Sequence, residues 1–297
     1  MKRFLIPEIE ASALSVTGPV REDNQDAILL PSDSLPALPG RLYAVADGMG
    51  GYAHGGVAST LTLETLHTTL RAVAGDAPTK AMRQGVEAAN LDVFKTAQSL
   101  GAGRMGSTIT AAYVVSDTLH LAHVGDSRAY LIRNNKAACL TNDHTVVGDM
   151  VRARLISPEK VHTHAQRSIL TKAVGLGMFI QPDISQMKLQ AGDRLVLCCD
   201  GVWSVLQDND FARLSGENLT PQALSEALIG LSIERATDDN CSVVVAQLHG
   251  FTEMSTPAEL APERRNGHGL AGWVHKIINR NGGAANSFTS HSPEASR

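Results

Sequence analysis

The feature that most constrains this chain is a set of aspartates placed at the ends of short apolar segments. Asp47 and Asp200 each directly follow such a segment, Asp126 follows one after a single glycine, and Asp26 and Asp239 come just before one. Any one of them alone would be an ordinary turn residue. Because the end of one antiparallel strand lies beside the start of its neighbour, we expect the five carboxylates to converge at one rim.

Such a cluster has a chemical consequence. Carboxylates gathered without an equal number of Lys or Arg side chains cannot all stay ionised unless a cation neutralises them. Carboxylate and carbonyl oxygens are the ligands that Mg²⁺ and Mn²⁺ prefer. Two such ions roughly 3.5–4 Å apart convert a water between them into a hydroxide near neutral pH. The glycines Gly48, Gly50 and Gly51 after Asp47 allow the backbone to approach an ion closely.

Arg21 precedes the first of these aspartates by five positions. Its guanidinium suits a phosphate or carboxylate group of a substrate held beside the ions. The alternative is an exposed ion pair with Glu22 or Asp23, and the sequence leaves both open.

Composition excludes several classes of protein. The chain has 297 residues with 26 Lys and Arg against 30 Asp and Glu, a net charge of −4 that disfavours nucleic-acid binding. Apolar runs fall well short of the ~20 residues that span a bilayer, and the N-terminus lacks a signal-peptide pattern. The four cysteines form no metal-binding or disulfide spacing. We therefore expect a cytoplasmic protein without a membrane span.

Periodicity predicts an α+β fold. Helical spacing covers Val57–Val73, Pro78–Leu100 and Pro221–Ile233, the last one capped by Thr220. The turn at Gly125–Ser127 lies between two strand-like runs and predicts a β-meander. Short apolar runs predict strands at Ala27–Leu30, Leu42–Ala46, Ile109–Val115, Thr118–Val124, Arg128–Ile132, Leu195–Cys199 and Cys241–Gln247.

Seven ordered motifs resemble the PPM family, the metal-dependent type-2C serine/threonine protein phosphatases, in their short bacterial form. The resemblance runs from about residue 12 to 248. It rests on Arg21–Asp26, Val45–Gly51, Met105–Thr108, Val124–Arg128, Leu140–His144, Cys199–Trp203 and Thr237–Ser242.

The resemblance implies a fold and a set of roles. The fold is a four-layer α-β-β-α sandwich, with two central antiparallel sheets flanked by helix pairs. The site holds two Mn²⁺ or Mg²⁺ ions. Their bridging hydroxide attacks a phosphoserine or phosphothreonine in line, without a phosphoenzyme. The implied ligands are Asp47 for both ions, the Gly48 carbonyl for one, Asp200 and Asp239 for the first, Asp26 through water for the second, and Asp126 for a third, weaker site. Arg21 is implied to hold the phosphoryl oxygens.

The same resemblance implies partners and leaves alternatives. The expected partners are phosphoserine and phosphothreonine proteins, including a bacterial Ser/Thr kinase and its substrates, and we expect a monomer. Two other functions stay open, a catalytically silent phosphoprotein-binding scaffold and a two-metal hydrolase of small phosphoesters. Met49 stands where many eukaryotic relatives have a histidine that is a candidate general acid, so that role is unassigned.

The chain divides into a catalytic domain and a tail. Residues 1–249 are the expected phosphatase domain, with a flap at about 145–170 whose stretch Gly148–Ile156 has a helical pattern. Residues 250–297 are rich in Ser, Pro, Gly and Asn, and we expect a largely disordered tail. A short amphipathic helix at 268–280 is the one element predicted there.

Overall fold

The structure, a computed structural model, describes residues 4–32, 35, 38–50, 54–161 and 163–254. Apolar runs that bury both faces build two antiparallel sheets at its centre. The strands are β1 (Phe4–Val16), β2 (Asp26–Leu29), β3 (Arg41–Gly50), β4 (Met105–Ser107), β5 (Ile109–Val115), β6 (Thr118–Val124), β7 (Arg128–Arg133), β8 (Lys136–Cys139), β9 (Asp183–Lys188), β10 (Arg194–Cys198) and β11 (Cys241–Met254).

The helices lie outside the sheets. They are α1 (His54–Ala72), α2 (Pro78–Leu100), α3 (Val146–Arg152), α4 (Asp200–Trp203), α5 (Asp208–Gly216) and α6 (Pro221–Glu234), with a short 3₁₀ turn at Pro158–Lys160. No helix among the described residues is both long enough and apolar enough to cross a membrane.

The two sheets have different strand orders. One sheet runs β1-β11-β10-β7-β8, and the other runs β2-β3-β5-β6-β9 with β4 paired to β3. All pairings between these strands are antiparallel. The sheets therefore satisfy the expectation of a mixed α+β fold built on antiparallel pairing.

Strand β3 shows how the layers are separated. Tyr43 and Val45 pack into a core shared with the first sheet. Leu42, Ala44 and Ala46 point the other way, into a core shared with helices α1 and α2. Because side chains alternate across a strand, this one strand contributes to both cores. The order of layers is therefore helix, sheet, sheet and helix.

Local chemistry sets the ends of two predicted helices. The Thr220 hydroxyl accepts a hydrogen bond from the Ala223 amide at 3.2 Å, and Pro221 occupies the first turn of α6. Helix α2 starts at Pro78 and ends at Gly101, which adopts a left-handed conformation with φ of 61°. The predicted bounds of α2 are confirmed, and α6 extends one residue further than expected.

The predicted meander is wrong at one point. Strands β5 and β6 form the expected hairpin, but β7 pairs with β10 in the other sheet. The turn Gly125–Ser127 therefore carries the chain from one sheet to the other. Gly125 has φ of +107°, a conformation that side-chain-bearing residues rarely adopt, which allows the change of direction.

Two expected boundaries also shift. The helix expected at Gly148–Ile156 is found as α3 at Val146–Arg152, because the Thr145 hydroxyl accepts from the Gly148 amide and starts it earlier. Strand β11 continues to Met254, past the domain end expected at 249, and pairs with β1 along its length. The remainder of the expected tail, with the helix at 268–280, lies outside the described residues.

Candidate metal centre

The strands bring the five aspartates to one end of the sandwich. Asp26 begins β2 and lies directly opposite Asp47 of β3. In the other sheet, Asp200 follows β10, and Asp239 precedes β11, the strand that pairs with β10. A cavity of about 640 Å³ opens there. Its lining includes Arg21, Asp47, Gly48, Asp126, Asp200 and Asp239. The predicted convergence at one rim is therefore found.

Asp47 lies within β3, which continues beyond the segment expected to end at Ala46. Its amide donates to the Thr108 hydroxyl at 2.9 Å. Its carbonyl accepts from the Thr108 amide at 2.8 Å and from the Ser107 hydroxyl at 3.1 Å. The motif at Met105–Thr108 therefore holds the main chain of Asp47 and leaves its carboxylate facing the cavity.

Asp26 lies behind the cavity wall and is only 1% exposed. One carboxylate oxygen, Oδ2, accepts from the Ser242 hydroxyl at 2.6 Å, while Oδ1 is buried without a hydrogen-bond partner among the described residues. Burial raises the pKa of Asp26 to about 7, and the nearby Asp200 and Asp239 act in the same direction. This position agrees with an indirect role rather than a direct contact with a ligand in the cavity.

The other carboxyl groups perturb one another. Burial first, and then Asp26, Asp200 and Asp126, hold the pKa of Asp47 well above its usual range. Burial and Asp239 raise the pKa of Asp200 to about 6, although a hydrogen bond with Asp47 opposes the shift. The pKa of Asp126 is raised by burial and by Asp200. The rim therefore concentrates more negative charge than its own cations balance.

The donor set fits hard divalent ions. It consists of carboxylate oxygens plus the carbonyl of Gly48, the chemistry that Mg²⁺ and Mn²⁺ prefer. Oδ1 of Asp200, like Oδ1 of Asp26, is buried without a hydrogen-bond partner in the described part of the chain. Among those residues no three Asp, Glu, His or Cys side chains form a ready-made ligand group. The donors thus surround a common cavity without closing a coordination sphere.

Gly48 occupies a place that only glycine can fill. A Cβ there would lie 2.0 Å from the Gly55 carbonyl oxygen and 2.6 Å from that of Gln25. The Gly48 amide also donates to the Gln25 carbonyl at 3.2 Å. The backbone after Asp47 can therefore line the cavity because neither Gly48 nor Gly55 carries a side chain.

Arg21 supplies a cation at the edge of the cavity. Its Nη2 donates to Asp239 Oδ2 at 2.7 Å and its Nε to the Asp238 carbonyl at 3.3 Å. The ion pair is thus with Asp239 and not with Glu22 or Asp23, the partners of the alternative interpretation. With 54% of its side chain exposed, the guanidinium remains accessible to a ligand from solvent.

The sequence did not indicate that the Trp203 side chain holds the main chain of Asp126. The Trp203 indole donates to the Asp126 carbonyl at 2.8 Å, and the Arg128 guanidinium stacks 3.6 Å from the centroid of that ring. Arg128 also forms a bidentate pair with Asp143 at 2.9 and 2.7 Å. Trp203 is buried, and its place beside Asp200 in the sequence was the available signal for this role.

Two further residues follow Asp47 closely in the sequence, namely Met49 and His54. His54 is the first residue of α1. Met49 pairs with Gly106 across β3 and β4, so a thioether without a titratable proton borders the site.

Comparison with known proteins identifies the class. The family model described as Protein phosphatase 2C matches residues 17–158 and 174–241. The chain therefore belongs to the protein phosphatase 2C family, also called PPM, as the seven motifs indicated.

Individual relatives agree with this. A serine/threonine protein phosphatase of Mycobacterium tuberculosis, PstP, is 34% identical over 84% of this chain. The match covers 47% of that relative, so the chain spans about half of its length. The structure of the Streptococcus agalactiae serine/threonine phosphatase superposes with a TM-score of 0.74 at 30% identity, covering 81% of this chain and all of that one (100%). A PstP catalytic domain in complex with two manganese ions gives a TM-score of 0.72 at 29% identity, covering 83% and 99% of the two chains.

Proposed function

We propose that this protein is a metal-dependent protein serine/threonine phosphatase. The observation that carries the proposal is a cavity surrounded by carboxylates whose charge the local side chains do not balance, with one accessible arginine at its edge. Relatives named as serine/threonine phosphatases support it, and the manganese ions of one such structure support dependence on a divalent cation.

The roles of the residues follow the predicted assignment. Asp47 would bind two ions, and the Gly48 carbonyl would bind one of them. Asp200 and Asp239 would bind the first ion, while Asp26, behind the wall, would act through water. Asp126 would contribute to a third, weaker site. Either Mn²⁺ or Mg²⁺ suits these oxygen donors.

Each group has a distinct part in the reaction. When bound, the ions would lower the pKa of a coordinated water and stabilise the charge of the phosphoryl group. Arg21 would orient that group through its forked N–H donors, exchanging part of its contact with Asp239 for the substrate. Met49 cannot donate a proton, so the leaving alkoxide must be protonated by water or by another residue.

The proposal extends to substrates and partners. Phosphoserine and phosphothreonine proteins are the substrate class, and a bacterial Ser/Thr kinase with its substrates would be the opposing partner. We also propose a cytoplasmic, monomeric protein. The names of the relatives support the substrate class.

Release of phosphate from a phosphothreonine peptide at millimolar Mn²⁺ tests the proposal. We expect turnover by the full chain, its loss with excess chelator, and a loss of about 10³-fold in Asp47→Asn, because that carboxylate would bind both ions. Asp193→Asn, at the opposite end of β10, is the matched control and keeps the activity.

The alternatives give different results in the same assay. A scaffold would bind the phosphopeptide without turnover, and a small-phosphoester hydrolase would turn over a phenyl phosphate while leaving the peptide intact. Full activity in Asp47→Asn would contradict the proposal outright.

A further inference from the structure

His144 lies where the turn that carries Asp126 meets the base of the flap. Its ring and backbone are both bonded to the same residue of that turn. The His144 amide donates to the Gly125 carbonyl at 2.7 Å, and Nδ1 of the ring accepts from the Gly125 amide at 3.1 Å. With only 2% of the residue exposed, neither bond competes with water. One residue thus holds both polar groups of the glycine that precedes Asp126.

The other side of His144 faces the two ends of the flap. Its carbonyl accepts from the Thr171 amide at 2.7 Å. The next residue, Thr145, forms an isolated antiparallel bridge with Leu170, and the Val146 amide donates to the Ile169 carbonyl at 2.9 Å. Leu170 also lines the cavity that contains the aspartates. The flap therefore leaves and rejoins the domain at the residue that holds the Asp126 turn.

The ring of His144 is fixed in orientation. It stacks on His123 with centroids 4.8 Å apart, and Nε2 lies 3.2 Å from Asp183 Oδ2. A ring nitrogen that accepts a hydrogen bond carries no proton, so in the neutral ring the proton resides on Nε2. The approach of Nε2 to Asp183 lacks the geometry of a hydrogen bond, so the bond that Nδ1 accepts from the Gly125 amide is the contact that assigns the tautomer.

We propose that His144 is a positioning residue that couples the Asp126 turn to the flap. Gly125 is buried, so its amide and its carbonyl both need hydrogen-bond partners. A shift of the flap base moves the His144 main chain, and the ring transmits that shift to the peptide before Asp126. The order of the flap and the position of the Asp126 carboxylate are thereby linked.

Other contacts hold the Asp126 turn against the core. The Trp203 indole donates to the Asp126 carbonyl from the side of α4. Arg128 reaches Asp143, the residue before His144, and thereby secures the same segment to β7. These contacts fix the turn against the core, whereas His144 is bonded to the turn and to the flap base together.

Two substitutions of His144 test the roles of its two ring nitrogens separately. In His144→Asn the amide oxygen takes the place of Nδ1 and can still accept from Gly125. In His144→Gln the longer side chain places its polar end near Nε2 and leaves the Gly125 amide unpartnered. His120→Asn is the control, because it removes another buried imidazole of the same domain, 6% exposed, on β6.

Amide hydrogen exchange of the full-length variants is the first measurement. We expect His144→Gln to speed exchange at both Gly125 and Thr171 by about 10-fold relative to reference amides in β5. His144→Asn should stay within about threefold of the wild type, and His120→Asn should change all amides equally. Equal effects of the Asn and Gln variants, or faster exchange at Gly125 with unchanged Thr171, would overturn the proposal.

Titration with Mn²⁺ is the second measurement, and it rests on the proposed function because it assumes an ion at Asp126. His144→Gln should weaken the most weakly bound ion by about 10-fold or more, while His144→Asn preserves its affinity. If the wild type and Asp126→Asn bind the same ions, the third site is wrong. The exchange comparison then still decides the role of His144, since it needs no ion.

Discussion

Strand β10 has an aspartate near each end, and the two aspartates differ in their hydrogen-bond and ionic partners. Asp193, directly before the strand, receives two bonds from Arg133 at 2.7 and 2.6 Å. Asp200, which follows the strand after Cys199, has a buried oxygen without a hydrogen-bond partner among the described residues, and burial together with Asp239 raises its pKa to about 6. The two residues look alike in the sequence, each at the border of one apolar run. The presence of an arginine partner, and not the position in the sequence, therefore distinguishes the carboxylate of Asp193 from that of Asp200.

Other paired aspartates follow the pattern of Asp193. Asp143 is held by Arg128, and Asp210 by Arg235 at 2.7 and 2.8 Å. A charge paired in this way has little affinity left for an external cation. The carboxylates of the rim have the reverse property, since their mutual repulsion favours any divalent ion that joins them.

The largest effect separates the two ends of β10 by activity. We expect Asp200→Asn to lower phosphate release about 10³-fold, since it removes a proposed ion ligand. Asp193→Asn should keep the activity of each folded molecule within about twofold, because its partner Arg133 is remote from the cavity. Rates at saturating Mn²⁺, normalised to folded protein, check this. Equal losses of activity in the two variants would contradict the proposed difference between Asp193 and Asp200.

The second prediction is that substitutions of the same two residues change the free energy of unfolding in opposite directions. Asp193→Asn leaves the Arg133 guanidinium without its carboxylate and should lower the free energy of unfolding by about 3 kcal/mol. Asp200→Asn should raise that free energy in the presence of chelator, because it relieves repulsion with Asp239. Urea unfolding of both variants with chelator measures the two signs. A loss of stability in Asp200→Asn would show that its carboxylate is structural.

The third effect concerns the cation of the rim. Arg21→Ala should lower kcat/KM for a phosphothreonine peptide about 30-fold, the value of roughly 2 kcal/mol for a charge-assisted hydrogen bond. Arg21→Lys keeps the charge but loses the fork, so an intermediate value is expected. Initial rates at saturating Mn²⁺ measure the three proteins. Unchanged kcat/KM in Arg21→Ala would confine the residue to its pair with Asp239.

The smallest effect is a pH dependence of stability. The pKa of Asp26 is raised to about 7 in the folded state, so the folded chain binds more protons than the unfolded chain between about pH 4 and 7. The contribution of Asp26 is therefore present at low pH and is lost as the pH rises through about 7. His123, whose pKa is lowered to about 4, acts in the opposite direction.

The difference between the wild type and Asp26→Asn isolates this contribution. With chelator present, the wild type should lose on the order of 1 kcal/mol relative to the variant between pH 5 and 7.5. Urea unfolding at the two pH values measures it. A wild type that gains stability relative to Asp26→Asn over this range would contradict the assigned charge state.

The sequence was sufficient for elements that are apolar on both faces. Strands β5 and β6 were predicted with their observed bounds because each is a short, mainly apolar run next to a turn. Strands β1, β4, β8 and β9 were not predicted. β9 has mostly exposed side chains, and β1 contains Pro7, so neither shows the pattern of a buried strand. Both lie at sheet edges, where packing demands least of the sequence.

The sequence predicted the aspartates of the site but not the side chains that hold them in place. Asp26 and Asp47 each lie at the end of a predicted strand, and antiparallel pairing brings such ends together. Their proximity could therefore be predicted, and the two residues are found opposite each other. The bonds of His144 to Gly125, and of Trp203 to Asp126, depend on the change of sheet at Gly125–Ser127. The expected meander excluded that crossing, so the residues that hold Asp126 could not be inferred.

Calorimetric titration of the chelator-treated full chain with Mn²⁺ tests the central claim most directly, namely that the aspartates of the rim bind divalent ions and those held by a bidentate arginine do not. The account predicts two tightly bound ions, besides the weaker one at Asp126, in the wild type and in Asp193→Asn, and loss of the tight binding in Asp47→Asn. Unchanged ion binding in Asp47→Asn, or loss of it in Asp193→Asn, would contradict the account.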